Sequence, residues 1–236
     1  MPRRLVIFDL DGTLVDSRGD IAAAVNRSLR EMGEGRHSEE TIRGWIGGGV
    51  SRLLERALGG PAKVDRARAL FDRHYISGLL DRTLPYPGVD ELVRELSSMA
   101  VLAVATNKPG FMARRIVDGL GWKAVFRAVI GARDGFDLKP DPGMLEELLR
   151  TTGIPADRTV MVGDMVVDIE TARAAAVGFV GVDWGYGPTG ELANAGAKRV
   201  ASSADELREL VLLSLSLIHI SEPTRLVHSS RMPSSA

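Results

Sequence analysis

The chain has 236 residues, 44% hydrophobic and 26% charged, the make-up of a globular protein of one or two domains that can bury a proper core. Basic and acidic side chains number 30 and 31, so the net charge of -1 draws the protein neither to nucleic acid nor to a membrane surface, and binding must come from a local site. The absence of cysteine excludes disulfides, thiolate metal sites, iron–sulfur clusters and thiol nucleophiles.

The chain opens on Met1-Pro2-Arg3-Arg4 and then Leu5-Val6-Ile7-Phe8, a short apolar run closed by Asp9. That run is too short for a secretory leader, and no apolar run approaches the ~20 residues that span a bilayer, so a cytoplasmic protein is expected. Leu5 to Phe8 suits a strand buried on both faces.

From about Ser17 to Leu84 only helical periodicity is found. Stripes run through Ile21, Val25, Leu29 and Met32, then Ile42, Trp45 and Ile46, then Leu53, Leu54 and Ala57, then Val64, Ala67, Phe71 and Tyr75. Four short helices forming a small inserted bundle are expected over residues 17–84. Pro85-Tyr86-Pro87-Gly88 stiffens the return and is a candidate hinge.

Further strands are expected at Val101 to Ala105, Ala128 to Ile130, Val160 to Val162 and Phe179 to Val182. Amphipathic helices lie around Val89 to Leu96, Phe111 to Val117, Met144 to Leu149 and Ile169 to Ala176. This alternation predicts an α/β fold with a Rossmann-like, doubly wound parallel sheet, its core formed by residues 1–16 and 85–213 and its all-helical cap by 17–84. A last helix begins at Ser203, which can form a capping box with Glu206, and its inner face carries Leu207, Leu210 and Val211. The native chain is expected to end near Leu213. The segment Leu215 to Arg225, LSLIHISEPTR, resembles translated sequencing adapter, and residues 214–236, with His219 and His228, are read as a disordered extension foreign to the fold.

Asp9 and Asp11 follow the first strand, and residues two apart in extended chain point to one side, here a crevice at the carboxyl end of the sheet, where such folds bind ligands. Two carboxylates ~4 Å apart repel by roughly 4 kcal/mol at an effective dielectric of about 20, so positive charge must compensate them. An all-oxygen ligand set favours magnesium over zinc. Gly163-Asp164 ends another strand and completes a candidate metal site, while Asp168, one helical turn on, can orient it from behind or serve only as a helix-start acid. Glycines in the turns Gly12-Thr13 and Gly163 free N–H groups that can cradle a phosphoryl group. Thr106-Asn107 offers hydroxyl and amide donors at the same edge, and Lys139, in Lys139-Pro140-Asp141-Pro142, a cation in a rigid turn.

The four segments FDLDGTLVD, ATNKP, KPDP and GDMVVD stand in the order and spacing of the haloacid dehalogenase-like superfamily and closely resemble its phosphoglycolate phosphatase-like branch over residues 3 to about 213. The resemblance implies a magnesium-dependent phosphatase of a small phosphorylated metabolite, 2-phosphoglycolate first. It implies Asp9 as the nucleophile, Asp11 as the acid/base, Thr106 and Lys139 on the phosphoryl oxygens, and Thr13, Asn107 and the cap-loop Gly48 near substrate. The implied magnesium ligands are Asp9, Asp164 and the Asp11 carbonyl, with Asp168 outside them. Asp11 speaks for a phosphate ester, because dehalogenase members lack an acid there.

Two departures stand out: the apolar Met165-Val166-Val167 within GDMVVD, and Ala176 where the branch often has glycine. A phosphosugar mutase or another phosphatase of the superfamily is the alternative within the class, and a noncatalytic phosphate-sensing or receiver-like module outside it. Arg18, Arg43 and Arg52 could meet an anionic substrate or simply lie on a solvated face, and Trp184-Gly185-Tyr186-Gly187 could flank the site or be a packed aromatic turn. No nucleic-acid or membrane partner is expected, and monomer and homodimer both remain open.

Overall fold

The computed structural model describes residues 3–217; the part of the expected foreign extension from residue 218 on, with both its histidines, lies outside the described residues. Strand β1 (Leu5–Phe8) has its even residues, Val6 and Phe8, in one apolar core and its odd residues, Leu5 and Ile7, in the other, the period of two that a strand buried on both faces requires. Strands β4 (Val101–Pro109), β5 (Phe126–Ala132), β6 (Thr159–Gly163), β7 (Gly178–Val182) and β8 (Val200–Ala201) join it in a parallel sheet of order β5-β4-β1-β6-β7-β8. The chain leaves β1 for β4 on one side and returns to β6 on the other, so β1 lies at the point where strand order reverses.

Helices α5 (Val89–Ser97), α6 (Gly110–Gly119) and α10 (Ala204–Leu217) bury their stripes against the face that carries Phe8. Helices α7 (Gly143–Thr152) and α8 (Val166–Ala174) cover the face that carries Ile7. The short helix α9 (Glu191–Asn194) and the two-residue β8 carry too little sequence for a period to be read in advance. Strand β4 outruns its expected end at Ala105, because Thr106 and Pro109 keep pairing with β5 across an irregularity in the register.

The expected four cap helices are α1 (Arg18–Glu31), α2 (Glu39–Arg43), α3 (Val50–Leu58) and α4 (Val64–Ser77). Their stripes, among them Val25, Leu29, Leu54 and Phe71, join the core of the Phe8 face. Both chain crossings between helices and sheet are paired to each other: β2 (Val15–Asp16) runs antiparallel to β3 (Leu84–Pro85), with Val15 opposite Pro85 and Asp16 opposite Leu84. On the cap side, Asp20 accepts hydrogen bonds from the Thr83 N–H (2.8 Å), the Thr83 hydroxyl (2.7 Å) and the Arg82 N–H (3.0 Å). Among the described residues no helix is long and apolar enough to cross a membrane.

Ala176 holds φ at +55°, a left-handed conformation that suits glycine better than alanine. Helix α10 runs past the expected end at Leu213: Leu215 is buried in the core and the Ser214 hydroxyl accepts from Arg199 at 2.9 Å. Ending the chain after Leu213 is therefore expected to lower stability by about 2–3 kcal/mol relative to ending it after Leu217. Urea unfolding of the two truncations checks this, and equal midpoints would show that Leu215 contributes nothing.

Candidate active site

The ladder of β1 extends one residue past the strand, since the Asp9 N–H donates to the Val162 carbonyl at 2.9 Å. That bond sets Asp9 level with the end of β6. The chain then turns sharply, with the Leu14 and Val15 N–H groups both on the Leu10 carbonyl at 3.0 Å and Gly12 at φ +91°. A Cβ on Gly12 would lie 2.4 Å from an Asp164 carboxylate oxygen, so the turn needs glycine for its dihedral and for its closeness to β6.

Around this turn the carboxylates fall into two groups. In the first, single oxygens of Asp9, Asp164 and Asp168 lie within 4.8 Å of one another, all buried. Lys139 reaches into this group, 2.8 Å from Asp9 Oδ1 and 2.6 Å from Asp168 Oδ1. Burial, with the charges of Asp168 and Asp11 added, raises the Asp9 carboxyl to about 6 against the pull of Lys139. Burial and the neighbouring Asp168 and Asp9 push Asp164 to about 8, although the Tyr186 N–H and the Thr13 hydroxyl favour its charged form. For Lys139, burial works against the charge, but Asp168 and Asp9 outweigh it and hold the ammonium above its ordinary range.

In the second group Asp11 stands with its own cation. Lys108 Nζ is 2.8 Å from Asp11 Oδ2, and the Ser17 hydroxyl donates to Asp11 Oδ1 at 2.5 Å. Lys139 thus offsets Asp9, as expected of it, while Asp11 is offset by a second lysine, Lys108.

The donor set fits a hard divalent cation. Three buried carboxylates cluster with one ammonium, which reaches two of them, and Asp9 Oδ1, though close to Lys139, receives no hydrogen bond of good geometry. Asp168 has both oxygens engaged, one by Lys139 and one by the Met165 N–H at 3.0 Å, which suits an orienting role.

The remaining expected residues divide. Thr106 and Asn107 line the cavity between cap and sheet, about 60 Å³ in volume, together with Asp9, Asp11 and Lys139. Asn107 also braces the site: its amide accepts from the Lys139 N–H at 2.7 Å and donates to the Lys139 and Gly47 carbonyls at 3.2 Å, joining the lysine turn to the cap loop. Thr13 does not line that cavity, because its hydroxyl donates to Asp164 Oδ1 at 2.8 Å and so positions a carboxylate. The Gly12 N–H, expected to cradle a phosphoryl group, is taken by the Val15 carbonyl at 2.9 Å. Gly48 lies on an outer cleft beside Arg52, while its neighbours Gly47 and Gly49 line the inner cavity.

Arg18 pairs with its near neighbour Asp16 at 2.8 Å, whereas Arg43 donates to the Gly185 carbonyl at 3.0 Å and so joins cap to core. The aromatic turn both packs and supports the site, since the Tyr186 N–H holds Asp164 Oδ2 at 2.7 Å and its hydroxyl accepts from the Ser17 N–H at 2.7 Å. Sequence reasoning missed Ser17, Tyr75 and Lys108. Only Lys108 carried a signal, as one of five lysines in the chain and inside the motif ATNKP.

Lys139→Met removes the ammonium from this cluster. It is expected to lower stability by about 3 kcal/mol at pH 8 and by clearly less at pH 5, where Asp9, titrating at about 6, is mostly protonated and leaves less uncompensated charge. Urea unfolding at the two pH values checks this, and equal losses would contradict it.

A family model described as haloacid dehalogenase-like hydrolase matches residues 6–182. The curated phosphoglycolate phosphatase of Colwellia psychrerythraea is 37% identical over 194 residues, which cover 78% of this chain and 86% of that protein. The phosphoglycolate phosphatase of Pseudomonas putida is 38% identical over 192 residues, covering 78% and 70%. A predicted phosphoglycolate phosphatase of Haemophilus somnus, solved as a crystal structure, superposes with a TM-score of 0.82 at 26% identity, over 88% of this chain and 97% of that one.

Proposed function

The chain belongs to the haloacid dehalogenase-like hydrolases, and we propose that it is a magnesium-dependent phosphoric monoester hydrolase acting on a small phosphorylated metabolite, foremost 2-phosphoglycolate. The observation that carries the reading is Asp9, a buried carboxylate at the tip of the central strand, beside Lys139 and on the same small cavity as Asp11. The curated relatives named phosphoglycolate phosphatase support the choice of substrate. Residues 17–84 are the cap, and residues 1–16 with 85–213, extended through Leu217, are the catalytic core. The net charge and the lack of cysteine accord with a cytoplasmic enzyme.

In the proposed reaction an Asp9 oxygen attacks phosphorus, the ester oxygen leaves, and an aspartyl-phosphate forms. Asp11 gives its proton to the departing alkoxide, then takes one from the water that hydrolyses the acyl phosphate, which releases phosphate and restores Asp9. Ser17 and Lys108 hold the Asp11 carboxylate in place for both transfers. The Thr106 hydroxyl and the Lys139 ammonium face the phosphoryl oxygens. Magnesium held by Asp9, Asp164 and the Asp11 carbonyl would supply positive charge that keeps Asp9 ionised and offsets the phosphoryl oxygens. The apolar cap wall keeps bulk water away during transfer.

Phosphate release measured over 2-phosphoglycolate, sugar phosphates, nucleoside monophosphates and pyrophosphate, with and without magnesium, tests the reading. Turnover of 2-phosphoglycolate at least as fast as of any other ester, lost without the metal, is the expected result. Asp9→Asn should lower that turnover by roughly 10⁴-fold or more with the fold intact by circular dichroism, and near-wild-type turnover would remove Asp9 from the mechanism.

The raised carboxyls set a pH dependence. Without cation, the folded protein keeps protons that the unfolded chain releases near 3.8, so the cluster's contribution to stability is full in acid and is lost as pH rises through about 6 and about 8. A cation must displace those protons, so magnesium should raise the melting temperature more at pH 8 than at pH 6. Equal magnesium-induced shifts at the two pH values would count against the carboxylate cluster as the binding site.

A further inference from the structure

The inner cavity has an uneven wall. Its sheet side is polar, with Asp9, Asp11 and Thr106, whereas its cap side is apolar, with Ile21, Leu53 and Phe71. Lys108 and Lys139 are the cations among the described residues that line it, and none of Arg18, Arg43 and Arg52 does. Lys139 is held between Asp9 and Asp168. Lys108, nearly as deeply buried, has Asp11 Oδ2 at 2.8 Å and the Tyr75 hydroxyl of cap helix α4 at 2.7 Å. An ammonium carries three N–H bonds, and these two partners occupy two of them.

We propose that Lys108, completed by the Tyr75 hydroxyl, is the specificity-determining receptor for a carboxylate on the leaving group, so that the enzyme selects esters bearing an anion on the carbon next to the ester oxygen. The inference rests on the phosphatase reading and deepens it. Asp11 protonates the ester oxygen as it departs, so that oxygen lies against the Asp11 carboxylate. A carboxylate one carbon further on falls beside the ammonium that Asp11 itself holds. The third N–H of Lys108 and the Tyr75 hydroxyl then provide two donors for it, one of them charged.

The surroundings disfavour other leaving groups. Sugar hydroxyls turned toward the cap side, toward Ile21, Leu53 and Phe71, would be buried without partners. Burial also makes the receptor selective, because an ester that puts no anion there leaves the lysine's remaining donor unpaired in a dry place.

The test compares 2-phosphoglycolate with 2-hydroxyethyl phosphate, in which CH₂OH replaces the carboxylate, for the wild-type enzyme and Lys108→Met in magnesium buffer. The wild type should prefer 2-phosphoglycolate by roughly 100-fold in kcat/KM, and Lys108→Met should bring that ratio to within about fivefold of unity, chiefly through a higher KM for 2-phosphoglycolate. Equal losses for both esters, carried by kcat, would mean that Lys108 acts on Asp11 alone and would overturn the proposal. If Lys108→Met does not fold, two measurements still decide: the wild-type ratio, where no preference overturns it, and Tyr75→Phe, which should raise KM for 2-phosphoglycolate several-fold and leave KM for 2-hydroxyethyl phosphate in place. Failure of the phosphatase reading looks different, with no phosphate released from either ester. Calorimetric binding of the two esters to Asp9→Asn then reads the preference without turnover, and equal affinities there overturn the proposal as well.

Discussion

The site is organised by one electrostatic constraint, the gathering of three buried carboxylates, Asp9, Asp164 and Asp168, with a single buried ammonium, that of Lys139, against two of them. Like charges in a dry place are tolerated only when something fixes them there, and several parts of the molecule are used to do so. The Thr13 hydroxyl and the Tyr186 N–H hold Asp164, the Met165 N–H holds Asp168, and Asn107 holds the backbone of Lys139. The pieces come from β4, from the loops that follow β1, β5, β6 and β7, and from the start of α8, so the parallel sheet acts as a jig that brings distant acids to one edge.

The sheet was legible because strands buried on both faces leave unbroken apolar runs, as Leu5 to Phe8 does, and the cap was legible because its stripes repeat at the helical period from Ile21 to Tyr75. Asp9, Asp11, Thr106, Lys139 and Asp164 could be singled out because each follows such a run or lies in a stiff turn. What each side chain touches was not legible. Spacing put Asp9 and Asp11 on one side of the chain, and both do line one cavity. Which lysine meets which acid depends on how β4 and the Lys139 turn approach β1 in space.

Thr13 and Gly48 illustrate the same limit at closer range. Gly48 stands between two residues that line the cavity and Thr13 two residues beyond one that does, yet Thr13 turns its hydroxyl to a carboxylate and Gly48 faces the outer cleft. Ser17 and Tyr75 carry no local signature at all, since a serine before a helix reads as a cap and a tyrosine on an apolar stripe reads as core. Their importance comes from the cap's descent onto the sheet, which brings the Tyr75 hydroxyl to Lys108 and the Ser17 hydroxyl to Asp11.

The paired crossings β2 and β3 govern how such a descent can happen. Two separate tethers would let the helical bundle slide, tilt and twist. Knitted together at Val15–Pro85 and Asp16–Leu84, and clasped just beyond by Asp20, they instead bind both ends of the bundle into one short ribbon. Because Ser17 is the residue immediately after one of the two crossings and also grips Asp11, the seat of the bundle and the aim of the Asp11 carboxylate are mechanically one adjustment.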